Sequence, residues 1–280
     1  MMQEKVSIIT VTYNSVAMLQ NTVESVDSQT YRNKEFIVID GGSTDGTREY
    51  LLLHQNQIDV WISESDQGIY DAMNKGSRKA KGEWIIFLNS GDVFSNDNVL
   101  ENVFSADIPK EVDVIYGDTV YSYGKEEYKE FRKSKELRYF WKGMVTSHQS
   151  FFIRKRIMDQ RQFDTRYKIA ADFNQLYTLL MDDGLFVYKK LYISRVDTTG
   201  ISNNKRIIQS VLEHWSIIRH YSKISLYYHL YYVFRTLIVL LLSIVKLIIP
   251  GRIYIQFIRM LRCRNRDHHT ENAVSVKSFI

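Results

Sequence analysis

Short apolar runs alternate with stretches of helical period through the first third of the chain. Val6-Ser7-Ile8-Ile9-Thr10-Val11 is rich in β-branched residues and reads as a buried strand. Phe36-Ile37-Val38-Ile39, Val60-Trp61-Ile62 and Trp84-Ile85-Ile86-Phe87-Leu88 repeat that pattern. Between them lie a helix with Ser15 at its cap position and Leu19, Val23 and Val26 on its apolar side, then helices over 47–55 and 68–80. Strands and helices alternating at this spacing predict right-handed βαβ units and a largely parallel sheet. After Asp92 the rhythm changes. The pattern there predicts a helix over 93–104, a strand over 112–116, a polar hairpin over 117–133 and a strand over 150–153. A helix over 172–183 ending at Asp183-Gly184, short strands over 187–196 and a long helix over 203–222 complete it.

From Ser225 onward the pattern is different again. Thr236 to Val245 carries no charge and is bracketed by Arg235, Lys246 and Arg252. That run is short of the roughly 20 apolar residues a spanning helix needs. It reads either as a helix lying in a membrane interface, its cations snorkelling, or as a helical hairpin packed on the body or at a dimer contact. Tyr227, Tyr228, Tyr231 and Tyr232 are the amphipathic aromatics expected at a membrane surface.

Composition sharpens this division. The chain has 280 residues, 45% hydrophobic and 25% charged, ordinary values for a folded protein. Its net charge of +5 hides an asymmetry: residues 203–280 carry 12 Lys/Arg against 3 Asp/Glu, leaving 25 against 29 for the rest. We therefore expect a mildly acidic catalytic domain over 1–202 and a basic, apolar helical extension over 203–280. The extension calls for a negatively charged partner, and its apolar content points to an anionic membrane surface rather than nucleic acid. Cys263 is the only cysteine, so no intrachain disulfide forms, which fits a reducing compartment. Met1-Met2-Gln3-Glu4-Lys5 runs directly into the first strand, a start that predicts no secretory signal.

Candidate chemistry collects at the carboxyl ends of the expected strands, where ligands bind on open α/β sheets. Asp40 is followed by Gly41-Gly42, and either contacts a nucleoside or makes an Asx turn with Asp45-Gly46. On helix 68–80, Ile69, Met73, Gly76 and Ala80 share one face, while Asp71, Asn74, Lys75 and Arg78 fall outside the core; Asp66 and Asp71 sit near its entry. Asp92 follows Asn89-Ser90-Gly91. It suits a hard cation such as Mn2+ or Mg2+, caps the next helix, or does both. Asp172 shares a helix face with Leu176 and Leu179, as an N-cap or as an inward-pointing base. His148 and Gln149 precede a strand and would face the same cleft. The sequence has no Cys/His cluster, no Gly-x-Ser-x-Gly elbow, no Gly-x-x-x-x-Gly-Lys loop and no Gly-x-Gly-x-x-Gly loop after the first strand.

Assembled, these residues resemble the family 2 glycosyltransferases of the GT-A fold over roughly residues 5–200. Val6 to Asn14 looks like that family's opening strand and nucleotide loop, with Thr12, Tyr13 and Asn14 beside the base. Val38 to Thr47 is close to the family pattern in which the Asp40 position contacts the nucleoside. Asp66, Gly68, Asp71 and Asn74 match its next block. Two departures stand out: Asn89-Ser90-Gly91-Asp92 replaces a motif with two or three aspartates, and Ala171-Asp172 replaces Glu-Asp. His148-Gln149 and Thr199-Gly200-Ile201-Ser202 look like the later part of a bacterial surface-polysaccharide subgroup.

The resemblance implies inverting transfer from a nucleoside diphosphate sugar, UDP ahead of GDP, to a glycan acceptor on a polyprenyl diphosphate. Asp172 would be the base and Asp92 the ligand of Mn2+ or Mg2+. Asn89 and Gly91 would face the donor, and His148 and Gln149 the substrate. The protein would then lie on the inner face of the cell membrane. The rival reading is a non-catalytic, nucleotide-binding scaffold subunit of a membrane glycan-assembly complex.

Overall fold

The computed structural model describes residues 4–123, 128–197, 204–221 and 226–248. Two compact units divide the chain, Met1–Ile201 and Ser202–Ile280. Thr199 to Ser202, Arg252 and Cys263 lie outside the described residues.

The first unit opens with β1 (Val6–Thr12), α1 (Val16–Asp27), β2 (Lys34–Asp40), α2 (Thr47–Leu53), β3 (Val60–Ser63), α3 (Ile69–Lys79) and β4 (Trp84–Phe87). There follow β5 (Val93–Phe94), α4 (Val99–Phe104), β6 (Val114–Tyr123), β7 (Tyr128–Arg132) and 3-10 turns over Leu137–Lys142 and His148–Ser150. The unit closes with β8 (Phe151–Arg154), α5 (Lys155–Gln160), α6 (Ala171–Met181) and β9 (Phe186–Asp197). All nine strands join one sheet in the order β3-β2-β1-β4-β8-β6-β9-β5, with β7 paired to β6.

Through β3-β2-β1-β4 the pairing is parallel, as the alternating pattern predicts. Beyond β4 the sheet is mixed. β8 is antiparallel to both β4 and β6, while β6 and β9 run parallel. After Asp92 the strand–helix alternation is no longer regular, and of the pairings there only β6 with β9 is parallel. The helix expected over 93–104 is divided: Val93-Phe94 pairs with β9, and only Val99–Phe104 is helical. Asp92 consequently caps no helix.

Every residue of β1 is buried, as are six of the seven in β2. A strand covered on both faces must satisfy its polar side chains internally. Ser7 donates to Glu35 Oε1 at 2.5 Å and Thr10 to the Leu88 carbonyl at 2.6 Å. One core cluster lies against this sheet and includes Ile8, Leu19, Val38, Trp84, Ile86 and Phe152. On α3 the buried set is Tyr70, Ala72, Met73, Asn74, Gly76 and Ser77. Asn74, expected outside the core, is buried: its amide donates to the Phe163 carbonyl and accepts the Phe163 N–H, both at 2.9 Å.

In the second unit, α7 (Asn204–Tyr221) pairs with α8 (Leu226–Ile248). Trp215 stacks on Tyr232, 6.4 Å between centroids and 2° between planes, and donates its indole N–H to His229 Nδ1 at 3.1 Å. Leu226, Leu230, Val233, Phe234, Leu237, Leu241 and Ile244 are exposed along α8 and recur at helical spacing, so they form one apolar stripe. No helix among the described residues is long and apolar enough to cross a membrane.

Helix α3 rests on β1 and β2 through Gly76, where an added Cβ would stand 2.5 Å from Ile9 Cγ2 and 3.3 Å from Ile39 Cγ1. Gly76→Ala should therefore destabilise the protein by about 1–3 kcal/mol despite the better helix propensity of alanine. Urea unfolding of the full-length variant measures it; a stability equal to wild type would mean that α3 can lift off the sheet without cost.

Candidate active site

The loops after β1 and β2 hold each other in place. Asn14 adopts a left-handed conformation (φ 47°). Its N–H donates to Ser43 Oγ at 2.7 Å and its side-chain oxygen accepts the Thr44 N–H at 2.8 Å. Asp40 is fully buried. Its carboxylate accepts the Ser43 N–H at 3.0 Å, the Ser43 hydroxyl, and the Ser63 hydroxyl at 2.6 Å. The bonds to Ser43 make the Asx turn expected of Asp40.

The helix cap expected from Ser15 is supplied by Asp45. One Asp45 oxygen accepts the Val16 N–H at 3.0 Å, while the other takes the Thr47 N–H and hydroxyl at 3.1 and 2.6 Å. These bonds hold the Asp45 carboxyl below its ordinary value, the Thr47 hydroxyl first among them. Ser15 turns instead to Thr12 and Ser90, at 3.0 Å each, and ties the β1 loop to the β4 loop.

Tyr13 is 65% exposed. An added Cβ on Gly41 would lie 2.5 Å from Asp66 Oδ2 and 3.4 Å from the Tyr13 ring. Ring, bare backbone and carboxylate thus converge on one shallow cradle, because Gly41 has no side chain to fill it. Asp66 also accepts the Gly68 N–H at 2.8 Å. Asp71 lies apart: it accepts the Gln67 N–H at 3.0 Å and faces Lys75 at 3.6 Å. Lys75 in turn pairs with Glu64 at 2.9 Å.

Asp172 stands in the first turn of α6. One oxygen accepts the Tyr70 hydroxyl at 2.9 Å and the Phe173 N–H at 2.8 Å. The other faces His148 Nδ1 at 3.3 Å. Burial alone would raise this carboxyl, but the hydrogen bond and charge of His148, with Phe173 and Tyr70, outweigh it and hold it below its ordinary value. Asp172 is therefore ionised at neutral pH, with acceptor capacity left on the His148 side.

The other ring nitrogen of His148, Nε2, lies 3.1 Å from the Asn89 amide nitrogen. Asn89 Oδ1 is buried without a hydrogen-bond partner. The imidazole thus bridges the Asn89 amide and the Asp172 carboxylate, and the orientation of that amide and the tautomer of His148 are set together.

Asp92 is 6% exposed, and its oxygens accept the Gln149 amide at 2.6 Å and the Asp197 N–H at 3.3 Å. Among the described residues no three His, Cys, Asp or Glu side chains converge as a cation site. Mg2+ and Mn2+ commonly need only one or two protein carboxylates beside phosphate and water, so Asp92 would hold one on exchanging its bond to Gln149 or to Asp197. Gly91, expected to admit a ligand, is required by its backbone: φ is +96°, and a Cβ would meet Met18 Cε at 2.4 Å.

The fold thus brings Asn89, His148 and Asp172 into one hydrogen-bonded line and sets Tyr13 and Asp66 about the bare Gly41 backbone, while Thr12 is tied to Ser15 and Asp40 is buried against its serines. Gln149 turns away to hold Asp92, and Asp71 joins neither group. Tyr70 was not among the expected residues. Its signal was the spacing Tyr70, Met73, Asn74, Ser77, which is the buried face of α3.

A family model described as Glycosyl transferase family 2 matches residues 7–176. An uncharacterized glycosyltransferase of Mycobacterium tuberculosis is 34% identical over 210 residues, 71% of this chain and 78% of that one. A PGL/p-HBAD biosynthesis glycosyltransferase of Mycobacterium bovis is 30% identical over 191 residues, 60% of this chain and 66% of that one. Among solved structures, the mannosyltransferase PcManGT of Pyrobaculum calidifontis with GDP-Man and Mn2+ superposes with a TM-score of 0.63 at 16% identity, covering 94% of this chain and 80% of that one. Staphylococcus aureus TarS 1–349 in complex with UDP-GlcNAc superposes with a TM-score of 0.60 at 17% identity, covering 79% and 68%. Against the longer TarS chain the covered share is 43%. At these identities the structural matches establish the fold, which is the GT-A glycosyltransferase fold.

Burial pushes the Asp92 carboxyl up to about 6; the Gln149 amide pulls the other way and the charge of Asp197 adds to the rise. Below about pH 4 folded and unfolded chains both carry this proton. Between there and about pH 6 only the folded chain keeps it, so the contribution of Asp92 to stability falls as pH rises through that window and stays low above it. From pH 4 to pH 7, Asp92→Asn should therefore gain on wild type by on the order of 3 kcal/mol. Urea unfolding across that range reads the slope, and parallel curves for the two proteins would refute a carboxyl buried uncharged.

Proposed function

The chain belongs to glycosyl transferase family 2, and from that we propose that it transfers a sugar, with inversion, from a nucleoside diphosphate sugar to a hydroxyl of a glycan acceptor. We read the donor as a UDP sugar before a GDP sugar and the acceptor as polyprenyl-diphosphate-linked, in surface polysaccharide synthesis. The observation that carries this reading is Asp172: an ionised carboxylate, oriented by Tyr70, His148 and its own helix, at the floor of an open cavity. TarS 1–349 and PcManGT, which share the fold, were solved with UDP-GlcNAc and GDP-Man, which supports a nucleotide sugar as donor.

In this reading the base stacks on Tyr13, and Asp66 and the bare Gly41 backbone receive the ribose. Asp172 takes the proton of the acceptor hydroxyl through its free acceptor site while the oxygen attacks the anomeric carbon opposite the departing diphosphate. Tyr70 and the Phe173 N–H hold the far oxygen, so the carboxylate does not turn during the transfer. His148 steadies the near oxygen from Nδ1.

The apolar stripe of α8 and the basic excess of residues 203–280 support a second part of the proposal: the protein docks on the anionic inner face of the membrane, where a polyprenyl-linked acceptor is held.

Release of nucleoside diphosphate should appear with one sugar nucleotide and a polyprenyl-linked acceptor pool, and Asp172→Asn should lower turnover by about 10²–10⁴-fold while nucleotide still binds. Turnover within tenfold of wild type would remove Asp172 from the role. Leu237→Ser with Leu241→Ser in the full-length chain should weaken co-sedimentation with phosphatidylglycerol vesicles by about tenfold or more. Undiminished binding would defeat membrane docking through this stripe.

A further inference from the structure

The cavity that contains Asp172 has a volume of about 300 Å3, at the small end of ligand sites. Its lining is unusual for a site that would take a neutral sugar. Arg132, Lys133 and Lys135 all line it, drawn from one short stretch at and after the end of β7, and among the described residues Asp172 is the one carboxylate that lines it. Tyr13, Gly41 and Asp66 are not among the residues that line it.

The local backbone explains why the lysines face the same way. Ser134 between them turns inward: its N–H donates to Asp118 Oδ1 at 2.8 Å and its hydroxyl to the Gly117 carbonyl at 2.6 Å. Asp118 is 2% exposed and also accepts the Tyr188 hydroxyl at 2.9 Å, so the anchor is fixed. In extended chain the residues on either side of an inward one point to the opposite face together. The Lys135 N–H donates to the Val145 carbonyl at 2.9 Å, which holds that stretch along the cavity rim. Arg132 is committed differently. Its guanidinium pairs with both Glu130 oxygens at 2.9 Å and lies 4.3 Å from the Tyr121 ring centre, so it builds the wall and its charge is offset.

We propose that Lys133 and Lys135 bind phosphoryl groups of the acceptor, one sugar away from the hydroxyl presented to Asp172. This rests on the transferase reading above, because the cavity is the acceptor side only if Asp172 is the base. The chemistry recognised is a phosphate or diphosphate, and two ammonium groups at one rim suit it as point charges with rotatable donors.

The test titrates phenoxyundecyl diphosphate and its uncharged counterpart, phenoxyundecanol, into the full-length protein by calorimetry, with and without saturating UDP. Both lysines are exposed, so Lys133→Ala with Lys135→Ala leaves the core untouched. Wild type should prefer the diphosphate over the alcohol by about tenfold or more. That preference should vanish in the double alanine variant, return in Lys133→Arg with Lys135→Arg, and persist when UDP is bound. A preference kept by the double alanine variant would overturn the assignment, and so would displacement of the diphosphate by UDP, which would place the anion in the donor site. A protein that shows the lysine-dependent preference yet binds no nucleotide would support the anion site and count against the transferase reading instead.

Discussion

Parallel register between β1, β2 and β3 is the constraint from which the rest of the site follows. Thr12 pairs with Asp40 and Asp40 with Ser63, so three strand ends arrive abreast. Each element beyond them is hung from that edge: the Asn14–Ser43 and Asn14–Thr44 bonds join two loops, Asp45 caps α1 and α2 together, and Ser63 closes over the Asp40 carboxylate. A slip of one residue would turn Asp40 from its serines and expose half of a strand that is apolar on both faces. Burial on both faces makes such a slip prohibitive, which is why three polar loops of low intrinsic order hold a defined cradle.

A second set of bonds reaches across the sheet from the same edge. Ser15 and Ser90 connect the β1 loop to the turn after β4, Asn89 in that turn meets His148, and His148 meets Asp172. Tyr70 completes the line from α3, whose close seat on the sheet depends on Gly76. The carboxylate is thus positioned by elements far apart in the chain, and its ionised state is a property of that assembly rather than of its helix alone. Asp92 shows the contrast. It lies three residues from Asn89, but it is buried and its main partner is a neutral amide, so its carboxyl rises while that of Asp172 falls.

What was legible in the sequence follows the reach of each interaction. The four parallel strands and α1 to α3 are written in local periodicity, and the structure returns them within two or three residues. Asp172 read as an N-cap or as an inward carboxylate, because one helix face carries both it and Leu176; the structure puts Ala170 at the cap and Asp172 in the first turn. Asp40 left two readings open, since a carboxylate at a strand end before two glycines has the same local sequence in a turn as in a ligand site. The cap of α1 was misread because Asp45 comes from thirty residues downstream, and the cap at Asp92 because Val93 and Phe94 pair with β9, a hundred residues away. Tyr70 was passed over because an angular count centred on Ile69 puts the buried face one residue out of phase. For both caps the deciding partner was distant in sequence.

Asn89 ties the two edges of the site together. Its amide nitrogen lies 3.1 Å from His148 Nε2, and His148 Nδ1 faces Asp172 at 3.3 Å, so a side chain in the turn after β4 reaches the carboxylate through one imidazole. Burial raises the Asp172 carboxyl, and the hydrogen bond and charge of His148 outweigh it, so whatever fixes the imidazole also fixes how far that carboxyl is held below its ordinary value. Asn89 Oδ1 meanwhile stays buried without a hydrogen-bond partner in that turn. The state of the Asp172 carboxylate is therefore set in part by a residue that does not touch it.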